Sequence, residues 1–583
     1  MGWFVSYLGV ETSLTGRRWV GPGVDVERAA EELAQQTDLP NAVCQVLARR
    51  GVAPSEADAF LAPSLRDLLP DPRSLKDMET AARRFLAAFD GRQRIAVFAD
   101  YDVDGGSSAA LLLVWLRDMG HGATLYVPDR IDEGYGPNDE AMAALAKDHD
   151  LIVCVDCGTL SHGPIAAAKG ADVIVLDHHL GGEVLPDALA VVNPNRQDED
   201  GASAHLCAAG VVFLMLVEVG RQLRENDRKG PDLMGMLDLV ALATVADVAP
   251  LIGVNRAFVR QGLRVMARRA RVGLAALADV ARVDTAPTSY HLGFLLGPRI
   301  NAGGRIGQAN LGARLLATND PHEAAALAER LDALNTDRRD VEAHVRAAAL
   351  EQAEERGFDA ALVWAAGPGW HPGVVGIVAS RLKEASNRPS VVIGVEDGVG
   401  KGSGRSVSGI DLGAPIQRLA AEGLLIKGGG HKMAAGLTVA EDKLEAAMAR
   451  LGELLAKQGA HLAGPSDLAV TGLLMPGAAT VELTEKIEAA GPFGAAAPAP
   501  RFVFADMQIR FAKRVGETHL KVTFGDGLGA TMDAIAFGAF DGPLGPALEN
   551  HGGARFHLAG RLDINTWRGK RSVQLRLEDA NAA

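Results

Sequence analysis

Residues 94–106 read RIAVFADYDVDGG, a short apolar run that stops at Asp100 and is followed at once by Asp102, Asp104 and two glycines. IAVFA has the length and apolar character of a strand buried on both faces. Gly105 and Gly106 allow a tight turn into a helix opening at Ser107 and Ser108, whose N-terminus favours anions. The pattern recurs downstream: LIVCV ends in Asp156, and ADVIVL ends in Asp177, His178 and His179, with helical segments such as SSAALLLVWLRDMG and HGPIAAAKG among these runs. Such alternation predicts the α/β class, a parallel sheet covered on both faces, in which ligands bind at the carboxyl ends of the strands. The acids should therefore converge on one rim. A further acid, Asp247, sits in LVALATVADVAPL, an apolar stretch read as helix, where a carboxylate is costly unless paired.

Any one of these acids alone would suit an N-cap or a turn. Together they would repel one another or take up protons unless cations compensate. Oxygen ligands with one or two imidazoles and no thiolate suit Mn2+ or Mg2+ better than zinc, and two such ions suit hydrolysis of a phosphodiester.

Outward from this region the texture changes several times. Residues 1–85 form a mixed, mostly helical lead, broken at Pro63, Pro70 and Pro72, and no chemistry is read there. The α/β pattern occupies 86–315. A linking helix is expected within 316–357, with Asp320 as N-cap, Pro321 at its first position, Glu323 completing a capping-box-like arrangement and Gly357 ending it. Leu327, Leu331, Leu334, Val341 and Val345 share one face, so this helix should pack between two lobes. A second α/β lobe is expected at 358–462, with strands ALVWAAG and PSVVIGV and glycine-rich stretches read as loops. In 463–583, RFVFADMQIRF, HLKVTFG, RFHLAGRL and SVQLRLED alternate at period two, which predicts a small antiparallel barrel or sheet.

Composition sets limits. A chain of 583 residues and 61.1 kDa needs several domains. Apolar residues are 48% and charged residues 23%, and no uncharged apolar run reaches about 18 residues, so a membrane-spanning protein is excluded. Residues 1–20 lack the layout of a secretory signal, so a cytoplasmic location is expected; Gly2 and Ser6 fit only a loose acylation pattern. The four cysteines suit a reducing compartment, and Cys154 and Cys157, at the close of a strand, read as small buried residues rather than a zinc or redox pair. A net charge of −14 and a pI near 5.6 argue against a broad basic face for duplex DNA but leave room for a local basic groove.

DYDVDG, VDCG, LDHH and ATVADVAP resemble the four motifs of the DHH phosphoesterases, and residues 177–179 are literally DHH. The RecJ branch of that superfamily is similar over essentially the whole chain after about residue 85. The resemblance is carried by YVPDRIDEGYGP at 126–137, LCAAG at 206–210, GPRINAGGRIG at 297–307, WHPGVVGIVASRL at 370–382 and GGGHKMAAG at 428–436. It implies a DHH domain, a DHHA1 lobe and an OB-like barrel. It further implies that Asp102, Asp104, Asp156, His178 and Asp247 are metal ligands, with Asp100 and His179 as neighbours that bind metal or orient a ligand or water. All seven are candidate catalytic or metal residues. Arg299, Arg305, Ser403, Arg405 and His431, in the glycine-rich segments, are placed by the resemblance at the DNA backbone and its 5′ phosphate. Phe511, Lys513, Arg514, Lys521, Phe524, Trp567, Arg568, Lys570 and Arg571 bring rings and cations together in the barrel, with Trp567 the candidate for stacking on a base. One departure is local: after GPFG at 491–494 the family usually carries a glycine-asparagine step, and this chain reads AAAPAPRF.

The expected activity is metal-dependent, single-strand-specific exonucleolysis of DNA from the 5′ end, in repair and recombination. Two Mn2+ or Mg2+ ions are expected, and the family adds a single-strand-binding protein and a helicase as partners. A phosphodiesterase for short oligonucleotides, cyclic dinucleotides or polyphosphate would use the same motifs but needs no strand-binding barrel. A non-catalytic DNA-binding relative would not need the complete set of acids and histidines.

Overall fold

The structure is a computed structural model that describes residues 6–130, 132–460, 467–567 and 569–583, the side chain of Trp567 excepted. It divides into two compact units, Leu68–Ala463 and Met1–Asp67 with Gly464–Ala583.

The first sheet of Leu68–Ala463 is five-stranded and parallel throughout, in the spatial order Thr124–Tyr126, Ile95–Ala99, Leu151–Val155, Asp172–Leu176, Ala190–Val192. Ile95–Ala99 and Leu151–Val155 are buried at every position, which is why they read as unbroken apolar runs. Alternate residues Ala96, Phe98, Ile152, Cys154, Val173 and Val175 face Met142, Leu145 and Ile165 from the helices Asp139–Asp148 and His162–Ala167. The opposite face is covered by the helices Met78–Asp90, Val103–Asp118 and Ala208–Glu225. Cys154 and Cys157 are both free and buried, members of this core rather than a redox pair. The strand order reverses between Ile95–Ala99 and Leu151–Val155, the place where doubly wound sheets open a crevice at their carboxyl edge. Asp100 and Asp156 follow those two strands.

The helix Pro321–Arg356 is capped by Asp320, whose carboxylate accepts from His322 N–H at 2.8 Å. Glu323 does not complete a capping box. Its carboxylate takes Thr318 Oγ1 and Arg314 instead, and Thr318 Oγ1 accepts from the Asp320 N–H. Leu327, Leu331, Leu334 and Val345 are buried, but Val341 is exposed. The helix packs its first half on Val272–Val280 and Gly297–Ile306 and its second half on Pro372–Ser386 and Val363–Pro368, and Val341 falls between the two seats.

The second sheet is mixed, in the order Lys427–His431, Ala434–Ala440, Val399–Arg405, Ser390–Glu396, Val363–Pro368, with only the last pair parallel. The glycine-rich stretches expected as loops are therefore two strands, and GPRINAGGRI is the helix Gly297–Ile306. The glycines serve close packing. A Cβ at Gly402 would lie 2.8 Å from Ile393 Cγ1, and one at Gly404 would lie 2.7 Å from Leu412 Cδ2.

In the other unit, Phe502–Val515, His519–Gly525, Thr531–Ala536, Lys570–Ala582 and Arg555–Trp567 close into a five-stranded barrel, since the first strand also pairs with the last. One pairing, Thr531–Ala536 with Lys570–Ala582, is parallel, so the barrel is not wholly antiparallel. The helices Val24–Gln36 and Asn41–Arg49 set Leu33, Val43 and Leu47 into the same core as Phe502, Phe504 and Phe524. Asp579, fully buried, accepts from Ser13 Oγ at 2.6 Å and Trp19 Nε1 at 2.9 Å, which ties the N-terminal segment to the last strand. No helix among the described residues is long and apolar enough to cross a membrane.

Candidate metal centre and phosphate site

Asp102 is the N-cap of the helix Val103–Asp118: its Oδ1 accepts from the N–H groups of Asp104 and Gly105 at 2.9 and 3.1 Å. Gly105 is required there, since a Cβ would lie 2.4 Å from the carbonyl oxygen of Asp100. Capping leaves Asp102 its second oxygen. Asp104, buried in the first turn of the helix, accepts from Ala208 and Ala209 N–H at 2.7 and 2.8 Å, at the N-terminus of Ala208–Glu225. That is the role of the LCAAG segment.

Asp156 leaves its strand with φ of 61°, a left-handed conformation that a non-glycine residue holds only at some cost. Tyr135 donates its hydroxyl to the Asp156 carbonyl at 3.1 Å, and the same oxygen lies 3.1 Å from His179 Nδ1. Asp247 is not inside a helix but is the C-cap of Leu237–Ala246, so its carboxylate stands at the helix end, partly open. The position at the helix end does not remove the cost of the charge, since burial still disfavours the carboxylate there.

His178 Nε2 lies 3.3 Å from Asp156 Oδ1, 3.7 Å from Asp104 Oδ2 and 3.8 Å from Asp247 Oδ2. His179 is held differently, its Nδ1 2.8 Å from Asp177 Oδ1 and 3.9 Å from Asp156 Oδ1. Asp177 also accepts from Thr159 Oγ1 at 2.6 Å and from the N–H groups of both histidines. Asn193 and Asn195 donate to the carbonyl oxygens of His179 and His178. The second and third residues of the motif are thus two imidazoles with separate tasks: His178 faces three carboxylates, and His179 is braced by Asp177.

The donor set fits divalent cations. Asp156, His178 and His179; Asp104, His178 and Asp247; and Asp100, Asp102 and Asp156 form three overlapping groups, each offering ligand atoms within 4.8 Å of one another. Asp100 Oδ1 and Asp156 Oδ1 are buried without any hydrogen-bond partner, a costly state that a cation would relieve. Burial, followed by the charges of neighbouring acids, pushes the carboxyls of Asp100 and Asp156 well above the usual range, and burial raises Asp104 as well. Asp247 is pushed up to about 9 by burial and by Asp104 and Asp102. Burial works against both members of the Asp177–His179 pair, but their mutual hydrogen bond and charge hold Asp177 well below its ordinary value and lift His179 to about 9.

Beside the cluster lies a basic group. Arg305, on the helix Gly297–Ile306, donates to the Gly373 carbonyl at 2.9 Å, at the first turn of Pro372–Ser386. Arg405 donates to Ser403 Oγ and to the Gly404 carbonyl, both at 2.9 Å, and a Cβ at Gly376 of the same helix would meet Arg405 Nη2 and Ser403 Oγ at 3.1 Å. Arg130 sits over the Tyr101 ring at 5.1 Å, and its charge depresses Arg305, Arg405 and His371 after burial has done so; Arg305 falls to about 10. Arg130, whose charge lowers both Arg305 and Arg405, makes with them a site for an anion. Arg130, Tyr101, Tyr135 and His371 were not singled out in the sequence. Arg130 and Tyr135 lie in a segment that carries the family resemblance, but nothing local in it tells them from ordinary surface residues.

Arg299 is committed elsewhere, to Asp332 at 2.8 Å and to the Leu295 carbonyl at 2.8 Å. His431 pairs with Ala434, which pairs with Arg405, so it occupies the same cross-strand row two strands away, roughly 10 Å distant. Its Nδ1 accepts from Met433 N–H. The Trp567 side chain and Arg568 lie outside the described residues. Of the other barrel candidates, Phe524 is core, filling the barrel against Phe504, whereas Phe511 is exposed. Lys521 and Arg571 pair with Asp533 and Glu485.

The chain matches the DHH family, N-terminal domain, over residues 94–244, the DHHA1 domain over 359–457 and the RecJ OB domain over 471–579. A single-stranded-DNA-specific exonuclease RecJ from Dickeya dadantii is 40% identical over 573 residues, spanning 93% of this chain and 97% of that protein. The chain belongs to the RecJ family. The RecJ of Escherichia coli is 38% identical over 95% of this chain and 98% of its own length. The crystal structure of RecJ in complex with Mn2+ from Thermus thermophilus superposes with a TM-score of 0.80 at 30% identity, covering 97% of this chain and 79% of that one. A structure of exonuclease RecJ bound to manganese, 36% identical, covers 66% of this chain and 95% of its own, with a TM-score of 0.57. The RecJ family thus accounts for the α/β lobes and the barrel together.

Proposed function

We propose that this chain hydrolyses single-stranded DNA from its 5′ end and releases mononucleotides. The observation that carries the proposal is the juxtaposition of two features: a buried carboxylate and imidazole cluster with unpartnered oxygens, and a group of three guanidiniums beside it. Asp100, Asp102, Asp104, Asp156, His178 and Asp247 would hold two Mn2+ or Mg2+ ions, the ions named with RecJ of T. thermophilus. When bound, such ions supply an activated water at neutral pH and offset charge on the phosphodiester. His179 faces the same space with its ring fixed by Asp177 and Tyr135.

Arg130, Arg305 and Arg405, with Ser403, take the terminal phosphate and so set which phosphodiester lies over the acids. A terminal anion site next to the cleavage site gives polarity without reading bases. In this reading the segments 86–315 and 358–462 cleave the strand and hold its 5′ end, and the barrel in 463–583 holds the single strand through cations and rings. A single-strand-binding protein and a helicase as partners, a role in repair and recombination and a cytoplasmic setting belong to the same proposal.

Arg405→Lys is expected to raise KM for a 5′-phosphorylated strand roughly tenfold to a hundredfold, the worth of a hydrogen bond to a charged group. A strand with a 5′ hydroxyl should be nearly unaffected, and steady-state kinetics on the two ends checks the difference. The function itself is tested by incubating the protein and Mn2+ with a long single strand, a blunt duplex and a dinucleotide. Mononucleotides from the single strand alone or together with the dinucleotide support it. An intact long strand beside a cleaved dinucleotide would assign a small-substrate phosphodiesterase instead.

A further inference from the structure

The helix Gly297–Ile306 continues directly from a π-helical turn, His291–Leu296. One side of this rod lies on the catalytic motifs. A Cβ at Gly293 would touch Val245 at 3.4 Å, one at Gly297 would meet Ala246 at 3.1 Å, and one at Gly304 would lie 2.7 Å from the Tyr101 carbonyl. Asn301 Oδ1 accepts from Val103 N–H at 3.0 Å. The rod therefore runs from the helix end that carries Asp247 to the turn that carries Asp102.

On the adjoining side Tyr290 and Phe294 are 49% and 69% exposed, their rings stacked with centroids 5.1 Å apart and planes at 22°. Leaving two large rings in water forfeits burial energy, and Phe294 lies on the π-helical turn itself, a feature frequent at functional sites. Arg305 follows Phe294 by eleven residues, about three turns, so the two share a side of the rod roughly 15 Å apart. Arg299, the basic residue between them, is already paired with Asp332 and the Leu295 carbonyl. This stretch of the rod offers ring faces rather than free cations.

We propose that Tyr290 and Phe294 form a shelf on which bases of the single strand stack, downstream of the nucleotide whose phosphate sits at Arg305. The inference rests on the proposed exonuclease function and adds where the bases go. Ring faces accept any base, which suits an enzyme that advances along a strand without sequence preference. Both are positioning residues, apart from the reacting atoms.

The test compares wild type, the double variant Tyr290→Ala with Phe294→Ala, and Phe294→Trp, using Mn2+ and a 5′-phosphorylated thymidine homopolymer. The same strand is also made with a single abasic site moved stepwise from the 5′ end. The double variant should raise KM about tenfold and change kcat less than about twofold, and Phe294→Trp should keep wild-type kinetics. Wild type should lose a similar factor at one or two abasic positions, where the double variant shows no further loss. A flat abasic scan in wild type, or the same abasic loss in the double variant, overturns the shelf while leaving exonuclease function standing. A wild type that leaves every single strand intact overturns the function first, a separate outcome.

Discussion

Asp156→Asn is expected to lower the turnover of single-stranded DNA by about a thousandfold or more, since first-sphere charge compensation is worth several kcal/mol in the transition state. Asp156, like His178, belongs to two of the three candidate metal groups, and His178 stands 3.3 Å from its Oδ1. Asparagine keeps the volume and one oxygen but removes the charge. The fold should survive. The acid is buried among Asp100, Asp102, Asp104 and Asp247, so the loss of one negative charge relieves repulsion in the metal-free protein. The melting temperature in EDTA should then equal or exceed that of wild type while activity in Mn2+ is lost. A variant that is both active and normally stable would remove Asp156 from the site.

The second large effect is thermal. Mn2+ at a hundredfold excess over its Kd should stabilise the folded chain by about 2.7 kcal/mol, seen as a rise in Tm of the unit that holds the cluster. The rise should grow with pH. In the metal-free fold the carboxyl of Asp247 is raised to about 9, against about 3.9 for a free aspartate, so its contribution is fully present below about pH 4 and is lost as pH climbs through 9. Asp100, Asp104 and Asp156 are shifted in the same direction. His179, lifted to about 9, acts with the same sign over the upper part of that window. The Tm in EDTA should therefore fall from about pH 6 to about pH 9, while Mn2+, which needs deprotonated ligands, restores more at the alkaline end. A Tm in EDTA that is flat or rising across that range, or one indifferent to Mn2+, would contradict the description of the cluster.

The sheet and the rim of acids were legible because both follow from local pattern. An apolar run closed by Asp is readable within a dozen residues, but Gly105 and Gly106, expected as a turn before a helix at Ser107, lie inside a helix that already begins at Val103. Asp102 shows how two local readings can hold together, since it caps a helix and still offers an oxygen to the cluster. The linking helix was legible from Asp320 and Gly357. Its capping box was not, because Thr318 and Arg314 compete for Glu323. Gly402 and Gly404 read as loop residues and proved to be strand, because the reason for them is the bulk of Ile393 and Leu412 overhead, which no local pattern records. Arg130 became visible only when separate elements brought it near Arg305 and Arg405. The N-terminal helices were readable as helices, but their seat against Phe502 and Phe504 depends on contacts more than four hundred residues apart in sequence.

The polarity and the metal centre are tested together by labelling a long single strand at its 5′ or its 3′ end and following release in Mn2+ by wild type and by Asp156→Asn. Early release of the 5′ label as a mononucleotide and retention of the 3′ label until late are expected of wild type, and neither of the variant. First loss of the 3′ label, internal cutting, or equal release by the variant would contradict this reading.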